Sequence, residues 1–120
     1  MWSTCIINRS TVGHEFCGTL PDFGNFCLER EGGEQWGTPC IKRYDVYKGV
    51  EELIPYAGGI SAKTFEFDKE GNETIIDYQR MFNIIKKSSY SGYIGIEYEG
   101  DDKDEAKGIL ATKRLIERYV

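Results

Sequence analysis

Residues 18–26 read GTLPDFGNF, an apolar run that ends in a carboxylate, Asp22, and turns at once through Gly24 and Asn25. Preceded by EFCGTL (15–20), this stretch is predicted to be a short strand followed by a loop, with Asp22 at the strand end. Two further stretches repeat that pattern. GISAKTFEF (59–67) carries Ile60, Ala62, Phe65 and Phe67, and SGYIGIEYEG (91–100) carries an unbroken apolar run, Tyr93 to Ile96, that ends at Glu97. The continuous run is predicted to be a strand covered on both faces.

Helical patterns lie between and after these stretches. RYDVYKGVEELIPYA places Val46, Tyr47, Val50, Leu53 and Ile54 at helical spacing behind Asp45 as N-cap, with Gly58-Gly59 as the stop. IDYQRMFNIIKKSSY brings Tyr78, Met81, Phe82 and Ile85 onto one face behind Asp77. DKDEAKGILATKRLIERYV has acids in its first turn and Lys113, Arg114 and Arg118 near its end, which complements a helix dipole. Strands alternating with helices predict βαβ units around a parallel sheet, three of them. EREGGEQWGTPC (29–40), with Gly32, Gly33, Gly37 and Pro39, is predicted to be an extended loop of the kind that serves as a lid.

Composition narrows the function. The chain has 120 residues, 40% hydrophobic and 29% charged, with a net charge of −5, and is expected to form one soluble domain over 1–120. Its basic residues are interleaved with acids, which argues against nucleic acid as a partner. No window approaches the roughly 18 apolar residues of a membrane span. Cys5, Cys17, Cys27 and Cys40 are spaced by 12, 10 and 13, without a CxxC pair that would suggest zinc. MWSTCIINRSTVGHEF lacks the pattern of a signal peptide, so free thiols and a cytoplasmic location are expected. No phosphate-binding glycine loop follows any predicted strand.

Ligands in parallel α/β architectures bind at the carboxyl ends of strands, where Asp22 and Glu97 are both expected. Carboxylates from separate strands suit Mg²⁺ or Mn²⁺, and one beside a carbon acid can move a proton. Lys63 in SAKT is a substrate-binding candidate, since a strand lysine needs a partner for its ammonium; Asn25 is another, for a substrate hydroxyl. His14 is the sole histidine and precedes the first predicted strand, which leaves no imidazole pair for catalysis.

GTLPDFGNFC, YDVYKGVEELIPYAGGISAKTFEFDKEGNETIIDYQRM and GYIGIEYEG, in that order and followed by GILATKRLIER, resemble the C-terminal part of the sugar phosphate isomerase/epimerase family. The members are xylose isomerase-like TIM barrels, and the resemblance covers roughly residues 17–120, with 1–16 poorly matched. It implies an α/β fold, a partial TIM barrel of three β/α units matching the last strands of a (β/α)8 barrel. It also implies a Mn²⁺ or Mg²⁺ site with Asp22 and Glu97 as metal ligands, Glu97 doubling as the catalytic acid/base, and a sugar or sugar phosphate isomerised or epimerised through an enediolate. The chain has Ser61 where many members carry a histidine ligand, and no counterpart of the family's first glutamate. The expectation is therefore an incomplete site with weak metal binding and no measurable isomerisation. Three strands cannot close a barrel, so self-association into a homo-oligomer is expected. The alternative is a catalytically inactive truncated barrel that serves as an oligomerising or partner-binding module.

Overall fold

The computed structural model describes residues 11–120. Cys5 and the first ten residues of the poorly matched segment lie outside the described residues. The chain forms β1 (Cys27–Arg30), β2 (Cys40–Arg43), α1 (Val46–Leu53), β3 (Ile60–Thr64), α2 (Tyr78–Lys87), β4 (Ile94–Tyr98) and α3 (Glu105–Ile116). Short 3-10 turns cover Glu31–Gly33 and Ile54–Tyr56.

The sheets differ from the expectation of three barrel units. There are two, each of two strands: β1 with β2 antiparallel, and β3 with β4 parallel. The partial TIM barrel is thus overturned, and its first unit shows why. Residues 15–18 form no strand, and residues 19–23 run beside β3 through isolated bridges only, Thr19 to Ala57 and Asp22 to Ser61. Pro21 has no N–H to give to a ladder. Its carbonyl accepts from Ser61 N at 3.0 Å, and Phe23 N donates to Ser61 O at 3.2 Å.

The predicted lid is the second correction. Residues 27–43 make a hairpin closed by a Cys27–Cys40 disulfide with the Cα atoms 5.9 Å apart. The free thiols expected at these two positions are replaced by that bond: the ladder is irregular between Cys27 and Arg30, and the Cα atoms of the two cysteines lie within bridging reach. Closing a loop of this size stabilises by about 3 kcal/mol in the chain-entropy model. The hairpin lies on the surface, so replacing Cys27 and Cys40 together by serine is expected to cost about 2 kcal/mol, the low end of the usual range. Urea unfolding of the variant beside the wild type, with and without a dithiol, checks this; reductant should move only the wild type.

The helices follow the sequence closely. Asp45 accepts from Lys48 N, Asp77 from Arg80 N and Asp104 from Lys107 N, each satisfying a first-turn donor. Pro55 ends α1 by tightening it into the Ile54–Tyr56 turn. Their apolar faces meet one face of β3. Ile60 and Ala62 pack with Val50, Leu53, Ile76, Met81, Phe82 and Leu115 in a single core. Phe23 enters it edge-on to Tyr78 (5.5 Å) and Phe82 (6.3 Å), and Phe82 stacks on Tyr119 at 5.1 Å. α3 lies on β4 at Gly108, where a side chain would overlap the Tyr98 ring. Nearby, the buried Thr64 and Thr112 hydroxyls meet at 2.6 Å.

β3 and β4 pair in strict register: Ser61 with Gly95, Ala62 with Ile96, Lys63 with Glu97. Odd-numbered residues therefore share the face opposite the helices, as the two-residue pleat requires. β4 was expected to be covered on both sides. Ile96 is instead 38% exposed and Tyr93 92%, because β4 has only β3 beside it among the described residues. No helix among the described residues is long and apolar enough to cross a membrane.

Candidate functional site

The face away from the helices carries the chemistry. Lys63 lies there with its side chain 1% exposed. Its Nζ donates to Asn25 Oδ1 and to Glu99 Oε1, both at 2.9 Å, and stands 3.4 Å from Glu97 Oε1 and 3.6 Å from Asp22 Oδ1. Four oxygens from four residues thus surround one ammonium. The aliphatic stem reaches this place because residue 24 is glycine; a Cβ there would sit 2.7 Å from Lys63 Cδ.

Asp22 is fixed by its own turn. Its Oδ1 accepts from Gly24 N (2.8 Å) and Asn25 N (2.9 Å), which aims the carboxyl back over the sheet. Glu97 is fixed by its neighbour on β3, Ser61, whose hydroxyl donates to Glu97 Oε2 at 2.7 Å. The two carboxyl groups face the same Lys63 ammonium and are electrostatically coupled to each other. Burial, and then the bond to Glu97, push Asp22 above the usual carboxylate range; the Gly24 N–H, Ser61 and Lys63 pull less strongly the other way. Burial also works to raise Glu97, yet hydrogen bonds from Asp22 and Ser61 and the Lys63 ammonium together bring it down to about 2. The two carboxyl groups titrate as a coupled pair, with Asp22 holding a proton more readily than Glu97. For Lys63, burial opposes the charge, but Glu99, Asp22 and Glu97 outweigh it and raise the ammonium above its ordinary value.

A cavity of about 220 Å³ opens beside the pair. Asp22, Asn25, Ser61 and Glu97 form its polar wall, and Leu20, Phe26 and Leu53 its apolar one. A larger cavity, about 370 Å³, lies elsewhere, between α2 and the Asn72–Asp77 segment. Its two acids are spent on structure: Asp77 caps α2 by accepting from Arg80 N, and Glu73 accepts from Phe65 N and Glu66 N through one oxygen and from Ile75 N and Ile76 N through the other. The smaller cavity is therefore the one with chemistry at its wall.

All four residues singled out from the sequence, Asp22, Asn25, Lys63 and Glu97, come together here. Lys63 is placed differently from a substrate ligand. It lies beneath the carboxyl groups and is absent from the cavity wall, so it acts on the site through its neighbours. Glu97 sits inside β4 rather than at its end. Two members escaped the sequence reading. Glu99 belongs to no motif in the sequence, although its two-residue spacing from Glu97 puts both on one strand face. Ser61 entered only as a missing histidine, yet its hydroxyl holds Glu97.

The metal that the sequence resemblance implies fits these residues poorly. A divalent ion wants several free anionic oxygens around it, and here those of Asp22, Glu97 and Glu99 are already turned to the Lys63 ammonium. Scans against protein-family models and against curated proteins return no match for this chain.

Proposed function

We propose that the Asp22–Glu97 pair moves a proton at the carbon next to the carbonyl of a small sugar, the enediolate chemistry of the sugar isomerases and epimerases that the sequence resembles. The observation that carries this reading is a coupled pair of carboxyl groups on the wall of a cavity, with Asp22 shifted toward its protonated form and Glu97 toward its ionised form. Asp22 donates its proton toward the carbonyl oxygen while Glu97 accepts the proton from the adjacent carbon; the reverse transfers restore both. Asn25, exposed at the rim, keeps its amide N–H groups for a substrate hydroxyl. The cavity wall holds no lysine or arginine, which favours an uncharged sugar over its phosphate.

With one acid–base pair on one side of the substrate, a proton leaves and returns on the same face. Exchange with solvent follows, and inversion does not. Incubation of the chain with ketoses and ketose phosphates in D2O, read by proton NMR, tests this. Deuterium at the carbon beside the carbonyl, without epimer, is the expected result; no incorporation with any sugar contradicts it.

A second reading, assembly without turnover, is favoured by the single-sided pairing of β4 and the exposure of Ile96 and Tyr93 beside it. Light scattering decides it: a mass at or above twice 13.7 kDa supports pairing with a second copy, and a monomer removes that reading.

A further inference from the structure

We infer that the Lys63 ammonium is the resident cation of this site, standing where the family resemblance would put a divalent metal, and that the acidic cluster admits Mn²⁺ only when that ammonium is removed. The arrangement around Nζ is that of a coordination shell. Asn25 reaches it from the loop after residue 22, Glu97 and Glu99 from β4 and its extension, and Asp22 from the turn, at 2.9 to 3.6 Å. These are oxygen donors of the types a hard cation takes, gathered from two chain segments around a point that is 1% exposed on the lysine side.

The turn and the sheet are both built for a lysine rather than an ion. Gly24 is cut back so that the Lys63 stem can pass, and Tyr78 hydroxyl holds the Lys63 carbonyl at 2.8 Å from the core side. Glu99 extends the ladder, its N–H donating to Thr64 O at 2.9 Å, which fixes its carboxylate over Nζ. A metal ion approaching Asp22 and Glu97 would meet a positive charge 3.6 Å from one carboxyl oxygen and 3.4 Å from the other. Removing that charge from a partly buried site is expected to tighten Mn²⁺ binding by about 100-fold or more.

The inference borrows from the proposed acid–base reading only the place of the pair, and its test does not depend on sugar turnover. Mn²⁺ is titrated into wild type, Lys63→Met and Lys63→Arg, with free Mn²⁺ read by electron paramagnetic resonance. Wild type and Lys63→Arg, which keeps the charge, are expected to leave millimolar Mn²⁺ free, while Lys63→Met takes it up. In the wild type, carboxyl carbon resonances of Asp22 and Glu97 should stay sharp in Mn²⁺. If Lys63→Met unfolds, circular dichroism should show Mn²⁺ restoring its structure. Broadening of both carboxyl signals in the wild type, a folded Lys63→Met indifferent to Mn²⁺, or an unfolded one that Mn²⁺ fails to rescue would each overturn the inference. Loss of deuterium exchange alone would count against the proposed function and leave the resident cation standing.

Discussion

Lys63→Met is expected to unfold at lower denaturant than the wild type, with a loss of about 3 kcal/mol at neutral pH. The figure is at the lower end for a broken buried ion pair because Glu97 and Glu99 are 41% and 49% exposed and water screens what remains. The loss comes from what is left behind. Asp22 and Glu97 keep their positions beside each other, Asn25 loses its donor, and no cation faces the carboxylates. The pH dependence follows from the shifts. Glu97 is lowered to about 2 in the folded chain, so the stability it adds is present above its ordinary value of 4.5 and fades as pH falls through about 2. Without Lys63 much of that contribution is gone, so the gap between wild type and variant should narrow on acidification. On the alkaline side, the raised Lys63 stabilises fully below 10.5, and that contribution disappears as pH climbs through its folded value. Urea unfolding at neutral and acidic pH reads both effects; a constant gap would mean that Lys63 contributes packing alone.

Asp22→Asn separates chemistry from folding. The amide oxygen can keep the bonds from Gly24 N and Asn25 N, and the amide N–H can donate toward the Glu97 carboxylate. Stability should therefore change by no more than about 0.5 kcal/mol, as for a substitution that leaves no buried group unpaired. Deuterium exchange should fall by about 10²- to 10⁴-fold, since an amide cannot release its proton to a carbonyl. Asp22→Ala, which also loses the turn bonds, should cost roughly 1 to 2 kcal/mol in addition. Equal exchange rates in Asp22→Asn and wild type would remove Asp22 from the chemistry.

How the sequence encodes these features varies by element. The helices were legible because each has a capping aspartate and an apolar stripe, as with Asp77 followed by Tyr78, Met81, Phe82 and Ile85. β3 and β4 were legible as apolar runs bounded by glycines. The hairpin was not, since CLER and CIKR hold too few apolar residues to read as strands, and their pairing is fixed by Cys27 and Cys40. The first predicted strand failed at Pro21, a local rule that its apolar neighbours masked. At the site, the strand-end position of Asp22 and the odd presence of Lys63 in a buried stretch were visible. That Lys63 would stand at the centre of four oxygens depends on the register of β3 against β4, a tertiary fact that no spacing in the chain reveals.

The central claim is that Asp22 and Glu97 act as a coupled pair under the Lys63 charge, Asp22 shifted up and Glu97 down. A pH titration of their carboxyl carbons by NMR tests it most directly. The account expects Glu97 to titrate near 2 and Asp22 above its ordinary 3.8, each sensing the other. Two independent titrations at ordinary carboxylate values would contradict it.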